Sequence, residues 1–363
     1  MNNRIDEVYQ SMCKEQKSLP QERNGRKLKK ADMHAHTAYS REFLPGGKNT
    51  ASGWYRAVNF FVYFLARYRR LFFQKDFTMP NLQNYELYYN LPYSPKKVFD
   101  NAISKGMDFV PITDHNTIEG ALDLIKKYPS SKKKVIIGEE LTCKLKKRGY
   151  EIHVGVYDIN KSEHEELQAR KNSALKVVKY LNREGKTFAL NHLTAYNWDQ
   201  IRAISQEEIK RLIKLFDVFE VRNGIMGKEH NQICEILANV YSKGKIAGTD
   251  SHSLRGGKTY TAAYASTKEE FLEQIRKKRS YVFGKHGSLK MYQQEILDKT
   301  SNYMDIYIDG QRAFNHRTRF RDFAFRKLGK FTAGRLTKFV GVQLEKQNLE
   351  QTYKFLEEKL SNC

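Results

Sequence analysis

The chain has 363 residues, of which 40% are hydrophobic and 29% charged. That is enough apolar material for a core, and it excludes a globally disordered or fibrous chain. Lys and Arg number 64 against 41 Asp and Glu, a formal charge of +23, which points to an anionic partner: nucleic acid, an anionic membrane or a phosphorylated substrate.

Residues 1–30 read as a polar arm with no apolar run, so no secretory signal is expected and the protein is assigned to the cytoplasm, with a position peripheral to the membrane as the alternative. Cys13, Cys143, Cys234 and Cys363 are far apart and form no CxxC pair, which speaks against a disulfide framework or a cysteine zinc site. The first strand is expected over Leu28–Thr37. Six more follow: Met107–His115, Lys134–Leu141, Tyr150–Asp158, Thr187–His192, Asp217–Asn223 and Lys245–His252. Helical patterns over Ser94–Lys105, Ile118–Tyr128, Glu163–Glu184, Gln206–Leu215, Lys228–Lys243 and Thr267–Arg279 separate most of them or follow the last. Alternation of this kind reads as βα units around a parallel sheet. Seven such units in about 250 residues suit a closed or nearly closed barrel better than an open sheet, so the expected fold is α/β, a seven-stranded (β/α)7 barrel over residues 31–286.

Two segments break the rhythm. The stretch 43–92 is an insertion far longer than an ordinary βα loop of about 2–6 residues. Its part from Phe43 to Lys75 has six basic residues and no acid. On a helix, Trp54, Val58, Phe61, Leu65, Tyr68 and Phe72 share one face and Arg56, Asn59, Tyr63, Arg67 and Arg70 the other. A lid over the barrel is the expected role, and an interfacial membrane helix is the alternative. Its longest uncharged apolar run, Ala57–Ala66, is too short to span a bilayer, which needs about 20 residues. The extension 287–363 is expected to be helical and basic. Between Arg312 and Lys338 it has nine basic residues and one acid.

The chemical residues gather at the ends of the expected strands. Strand one ends in Asp32-Met33-His34-Ala35-His36, strand two in Asp114-His115 and strand three in Gly138-Glu139-Glu140. Strand four carries His153. Strands five, six and seven end in Asn191-His192, Glu220-Val221-Arg222-Asn223 and Thr249-Asp250-Ser251-His252. Strand residues i and i+2 point to the same side, so His34 with His36, and Asp250 with His252, are spaced to chelate jointly. In a parallel barrel the C-terminal strand ends converge on one mouth. Histidine and carboxylate without cysteine is a ligand set for Zn, Mn or Fe.

In this order, DMHAHT, ITDHNTIEGA, GEEL, the lone His153, NH and GTDSH resemble the PHP family (polymerase and histidinol phosphatase), over about Ala31 to Gly284. The resemblance implies a distorted seven-stranded barrel with two or three divalent metals at its mouth and hydrolysis of phosphate esters. It implies that His34, His36, Glu139 and Asp250 hold a first metal and that Glu139 bridges to a second, completed by His153 and His192. His115 and His252 would hold a third. The acid that usually completes the third site is missing, because Arg41 stands where an Asp is usual; Glu42 is the nearest substitute. Asp32 and Asp114 are expected to orient the ligand histidines. Catalytic roles fall to Glu139, Asp250 and His252 around a metal-activated hydroxide, with Arg222, Arg255 or Lys258 holding the phosphate. The expected substrate is a small phosphorylated metabolite. The alternatives are nuclease or phosphodiesterase action on nucleic acid, a lipid-linked phosphate at a membrane, and a non-catalytic, metal-stabilised module that binds polyanions.

Overall fold

The computed structural model describes residues 19–40, 93–145, 150–195, 204–254, 256–288 and 291, with 347, 349–352 and 354–358 near the C-terminus. The whole insertion 43–92 and most of the extension 287–363 lie outside them, and so do Glu42 and Arg255. The last part of the expected arm is not an arm. Glu22–Arg23 (β1) and Arg26–Ala31 (β2) form a hairpin around Asn24 and Gly25, whose φ values of 51° and 72° are those a tight two-residue hairpin demands and Asn-Gly tolerates. β2 also pairs antiparallel with Thr259–Tyr264 (β9), and β9 with Tyr281–Gly284 (β10). The expected strands included neither β9 nor β10.

The second sheet has six strands in chain order: Val110–Ile112 (β3), Val135–Lys144 (β4), Glu151–Tyr157 (β5), Thr187–Leu190 (β6), Val218–Asn223 (β7) and Gly244–Gly248 (β8). β3/β4, β6/β7 and β7/β8 are parallel, but β5 runs antiparallel to both neighbours. The stretch from Lys144 to Glu151 is the cause: parallel neighbours need a crossover of roughly a dozen residues, whereas a short loop can only return antiparallel. The chain is therefore an α/β fold of two curled sheets, not seven uniform parallel units. The segment after β2 joins them. Ala31 bridges to Phe109 beside β3, and the Met33 and Asp250 amides donate to Ala247 and His34 carbonyls. The residues of the HxH motif thus lie between the β3 and β8 edges.

Helices follow the predicted positions with one correction. The first four are Pro95–Ser104 (α1), Glu119–Lys127 (α2), Lys161–Arg170 (α3) and Ala174–Arg183 (α4). Gln206–Leu215 (α5), Lys228–Val240 (α6) and Lys268–Arg276 (α7) follow. The single helix expected over Glu163–Glu184 is two, because Ser173 is extended (φ −148°, ψ 106°) and starts a second helix. Capping boxes at Asn160/Glu163 and Ser205/Glu208 satisfy first-turn amides of α3 and α5. Among the described residues no helix is long and apolar enough to cross a membrane.

The main core lies between the six-stranded sheet and α3–α6. Leu349, Phe355 and Leu356 of the extension join it, and Phe355 stacks on Tyr241 with ring centroids 6.4 Å apart. That end of the extension therefore clamps the domain. Phe216, fully buried after α5, meets Phe188 of β6 edge-on at 6.0 Å. Truncating it leaves a cavity under β6 and β7, so Phe216→Ala should cost about 3–5 kcal/mol in denaturant unfolding. A loss well below 1 kcal/mol would mean that the core is not continuous there.

Candidate metal centre

The chain directions explain how six histidines meet. His34 and His36 follow β2, His115 follows β3, His192 follows β6, and Asp250 and His252 follow β8. His153 lies near the start of β5, yet β5 is reversed, so its start is at the same end of the sheet. Cross-strand pairs then select the carboxylate. Glu140 pairs with Gly155, two residues from His153, whereas Glu139 pairs with Val156. Residues directly opposite share a face and faces alternate, so Glu140 lies on the His153 face and Glu139 on the other.

The side chains follow that parity. Glu140 Oε2 is 3.2 Å from His34 Nε2, 3.4 Å from His36 Nε2 and 3.1 Å from His115 Nδ1. Its Oε1 is 2.9 Å from His192 Nε2 and 3.1 Å from His153 Nδ1, and accepts from Asn191 Nδ2 at 3.0 Å. Asp250 Oδ1 is 3.5 Å from His34 Nε2 and 3.4 Å from His36 Nε2. His252 Nε2 is 3.4 Å from His115 Nε2. Glu139 is the correction: its carboxylate takes contacts from His164 Nδ1 at 3.0 Å and Gln168 Nε2 at 2.9 Å, both on α3. The carboxylate that faces the histidines is that of Glu140. Both glutamates lie in one motif, and the sequence alone does not tell which of them faces the histidines.

The outer partners set the tautomers. His34 Nδ1 donates to Glu220 Oε1 at 2.9 Å, which leaves the Nε2 lone pair free. His36 Nδ1 donates to Ser40 Oγ at 2.9 Å, and Ser40 Oγ donates to Asp114 Oδ1 at 2.9 Å. Asp114 also accepts from the Thr37 amide and hydroxyl, so it ties down the loop and reaches His36 only through Ser40. Asp32 likewise accepts from the His34, Thr249 and Gly257 amides. Both aspartates thus hold backbone rather than rings, and Glu220 is the ring-orienting acid that sequence reading left without a role. Glu220 Oε2 accepts from the His192 amide and from Asn223 Nδ2, each at 3.0 Å, and Asn223 Nδ2 also reaches Asp250 Oδ2 at 3.1 Å.

Arg222, expected to hold phosphate, pairs with Glu235 of α6 at 3.0 Å. The cause is a bulge in β7: Glu220 pairs with Ile246 and Arg222 with the next residue, Ala247, so two residues that should share a face take opposite ones. Lys258 is exposed just before β9.

The cluster fits divalent metal. His34 Nε2, His36 Nε2 and Glu140 Oε2 are buried without a hydrogen-bond partner, which costs free energy unless something else occupies them. Donors 3.2–3.5 Å apart match the separation of tetrahedral ligands about 2.1 Å from one ion. Four donor groupings are close enough for an ion: His34-His36-Asp250, His34-Glu140-His192, His115-Glu140-His153 and His36-His115-His252. Burial opposes charge on Glu140, but His34, His153 and His115 outweigh it and hold its pKa well below the usual carboxylate range. Burial likewise opposes charge on His192, yet Glu140 and Asp250 carry its pKa up to about 9. Glu140 is thus poised as an anion, and the proton His192 holds is one that a metal would displace.

The backbone is constrained here as well. His192 (φ 22°) and Asp250 (φ 52°) are in the left-handed region, which costs of order 1–3 kcal/mol each and persists only when the surroundings impose it. Gly248 precedes Asp250, and a Cβ there would lie 2.4 Å from both the backbone N and the Cβ of His34. Gly248→Ala should therefore push the His34 segment off β8 and lower metal content, with a stability loss of about 1–3 kcal/mol. Full metal content in that variant, by elemental analysis, would contradict the close approach.

The PHP domain family model matches residues 92–287, more than half of the chain. The match begins after the insertion, so His34 and His36 join it only through the fold. No curated protein sequence matches. Among solved structures, a two-domain Bacteroides vulgatus protein described as containing a predicted PHP-like metal-dependent phosphoesterase is similar at 14% identity. It covers 77% of this chain and 73% of its own, with a TM-score of 0.44. PsfC from Pseudomonas syringae is similar at 15% identity, over 57% of this chain and 88% of its own, with a TM-score of 0.40. A lesion-specific endonuclease from Pyrococcus furiosus is similar at 14% identity, over 69% of this chain and 56% of its own, with a TM-score of 0.40. On the strength of the family match, the chain belongs to the PHP domain family.

Proposed function

We propose that the chain is a hydrolase of phosphate esters that works with two or three divalent ions (Zn, Mn or Fe) around Glu140. The observation that carries this reading is the convergence of His34 Nε2, His36 Nε2 and Glu140 Oε2, buried and unpartnered, on one point beside Asp250. His34, His36, Asp250 and Glu140 would hold one ion. Glu140 with His153, His115 and His192 would hold a second, and His36, His115 and His252 offer a third grouping. Bound ions of this kind supply Lewis acidity: they lower the pKa of water and neutralise charge on phosphoryl oxygens. Asn191 keeps Glu140 an acceptor, Glu220 keeps His34 in its ligating tautomer, and Asn223 holds Asp250 against its strained backbone.

A small phosphorylated metabolite is the first substrate class to try. Purified protein should carry at least two equivalents of transition metal per chain and cleave one class in a panel of phosphomonoesters, phosphodiesters, oligonucleotides and phospholipids. Preference for oligonucleotides or phospholipids would move the substrate to those classes. No stoichiometric metal and no hydrolysis of any ester would leave a polyanion-binding module instead.

A further inference from the structure

The small sheet has a face that the metal centre does not use. Arg23 pairs with Arg26, Leu28 with Tyr264, and Ala262 with Tyr281. Directly opposed residues share a face and so do residues two apart, so Arg23, Arg26, Tyr264 and Tyr281 lie on the same side. The opposite side carries Ala31, Ala263 and Val282, all fully buried. At the end of this face, the β1–β2 turn and the turn between α7 and β10 border a cavity of about 460 Å³. Its walls include Arg23, Arg26, Lys278, Arg279, Tyr264 and Tyr281, and no Asp or Glu.

Two of these cations are partly neutralised from outside the cavity, Arg26 by Glu270 and Lys278 by Asp217. Arg23 and Arg279 are exposed and make no ion pair among the described residues. Two arginines directly opposite each other in a hairpin repel, and a bound anion would relieve the repulsion. The rings are arranged for contact as well: Tyr264 and Tyr281 meet edge-on at 6.2 Å. Further along the face, Tyr260 stacks on Phe283 at 5.4 Å, with the Lys30 amine 5.6 Å from the Tyr260 centroid. Tyr264 is buried and Tyr260 packs toward α1, so Tyr281, half-buried at the cavity, is the ring a ligand can reach; cations beside such a ring suit a nucleic-acid strand, phosphates on the cations and a base on the ring. The cleft is remote from the candidate metal centre. Arg26 begins β2 and His34 lies beyond its other end, and the strand alone separates Arg26 from Ala31 by about 17 Å at about 3.3 Å per residue.

We propose that this cleft binds single-stranded nucleic acid, with phosphates on Arg23 and Arg279 and a base against Tyr281. It goes beyond ester hydrolysis and does not rest on it, since binding is measured without turnover. Full-length protein is titrated into a fluorescein-labelled oligothymidylate at several salt concentrations, with the oligonucleotide checked for integrity afterwards. Arg23→Gln with Arg279→Gln should weaken binding and flatten the slope of log affinity against log salt by about 1.4, at about 0.7 per single-strand phosphate contact. Tyr281→Ala should weaken it at least about fivefold. A 4-thiothymidine oligonucleotide should crosslink to the peptide carrying Tyr281. The arginine variant should keep wild-type Tm and hydrolysis of p-nitrophenyl phosphate, which separates failure of the cleft from failure of the fold or of the metal centre. Unchanged affinity and slope in both variants, or crosslinks confined to residues 41–92 and 289–346, would overturn the proposal. So would loss of binding to phosphatidylserine vesicles in the arginine variant with oligonucleotide affinity intact.

Discussion

Glu140→Gln is expected to release at least one metal equivalent, whereas Glu139→Gln keeps the wild-type content. The two residues are adjacent, chemically identical and both fully buried, so the comparison isolates the direction of the side chain. Glu140 faces five imidazole nitrogens, three from Oε2 and two from Oε1. Gln removes the charge and turns an NH2 group toward nitrogens that need a shared anion. An ion supplies several kcal/mol of transition-state stabilisation. Loss of about 4 kcal/mol is roughly a 10³-fold fall in kcat/KM, at 1.36 kcal/mol per tenfold. Glu139→Gln instead breaks the contact with His164, and its effect belongs to the packing of α3 on β4. Elemental analysis with circular dichroism, to show that both variants are folded, reads the difference. Metal lost from Glu139→Gln and kept by Glu140→Gln would reverse the face assignment and the centre built on it.

The confusion of Glu139 with Glu140 shows where sequence reading stops. Residue types and their order along the chain placed His34, His36, His115, His153, His192, Asp250 and His252 at strand ends, and the structure brings these side chains within reach of one another. Which of two neighbouring glutamates faces them depends on the register of β4 against β5, and Thr142 opposite His153 is a tertiary fact with no local signature. The reversal of β5 was different. The short stretch between two strand patterns, with no room for a crossover, forbids parallel neighbours, and that was legible. So was the Asn-Gly hairpin that turns the supposed arm into β1 and β2. The β7 bulge was not: Glu220-Val221-Arg222 alternates normally in sequence, and only the pairing with Ile246 and Ala247 separates Glu220 from Arg222. The insertion's expected helix, with Phe61 and Arg67 on opposite faces, lies outside the described residues.

The second large effect is expected at Glu220, which touches the centre only through its neighbours. Its side chain is fully buried and its carboxylate accepts three hydrogens: Oε1 from His34 Nδ1, Oε2 from the His192 amide and Asn223 Nδ2. Gln has one acceptor oxygen. If that oxygen serves His34, the amide NH2 faces two donors; if it serves His192 and Asn223, the NH2 faces His34 Nδ1 and favours the tautomer whose proton sits on Nε2, where the metal lone pair belongs. Either arrangement disturbs a ligand, because His192 is already held at φ 22° and Asn223 also contacts Asp250. Replacing such an orienting partner costs about 10–100-fold in metal affinity. Chelator competition should show that loss in Glu220→Gln, and added metal should recover activity, so that the defect is one of affinity rather than of turnover. Asn223→Ala removes one bond from each of two acids and should fall between the wild type and Glu220→Gln. Affinity within about twofold of wild type in Glu220→Gln would mean that the His34 tautomer does not depend on the carboxylate, and that burial alone holds the ring.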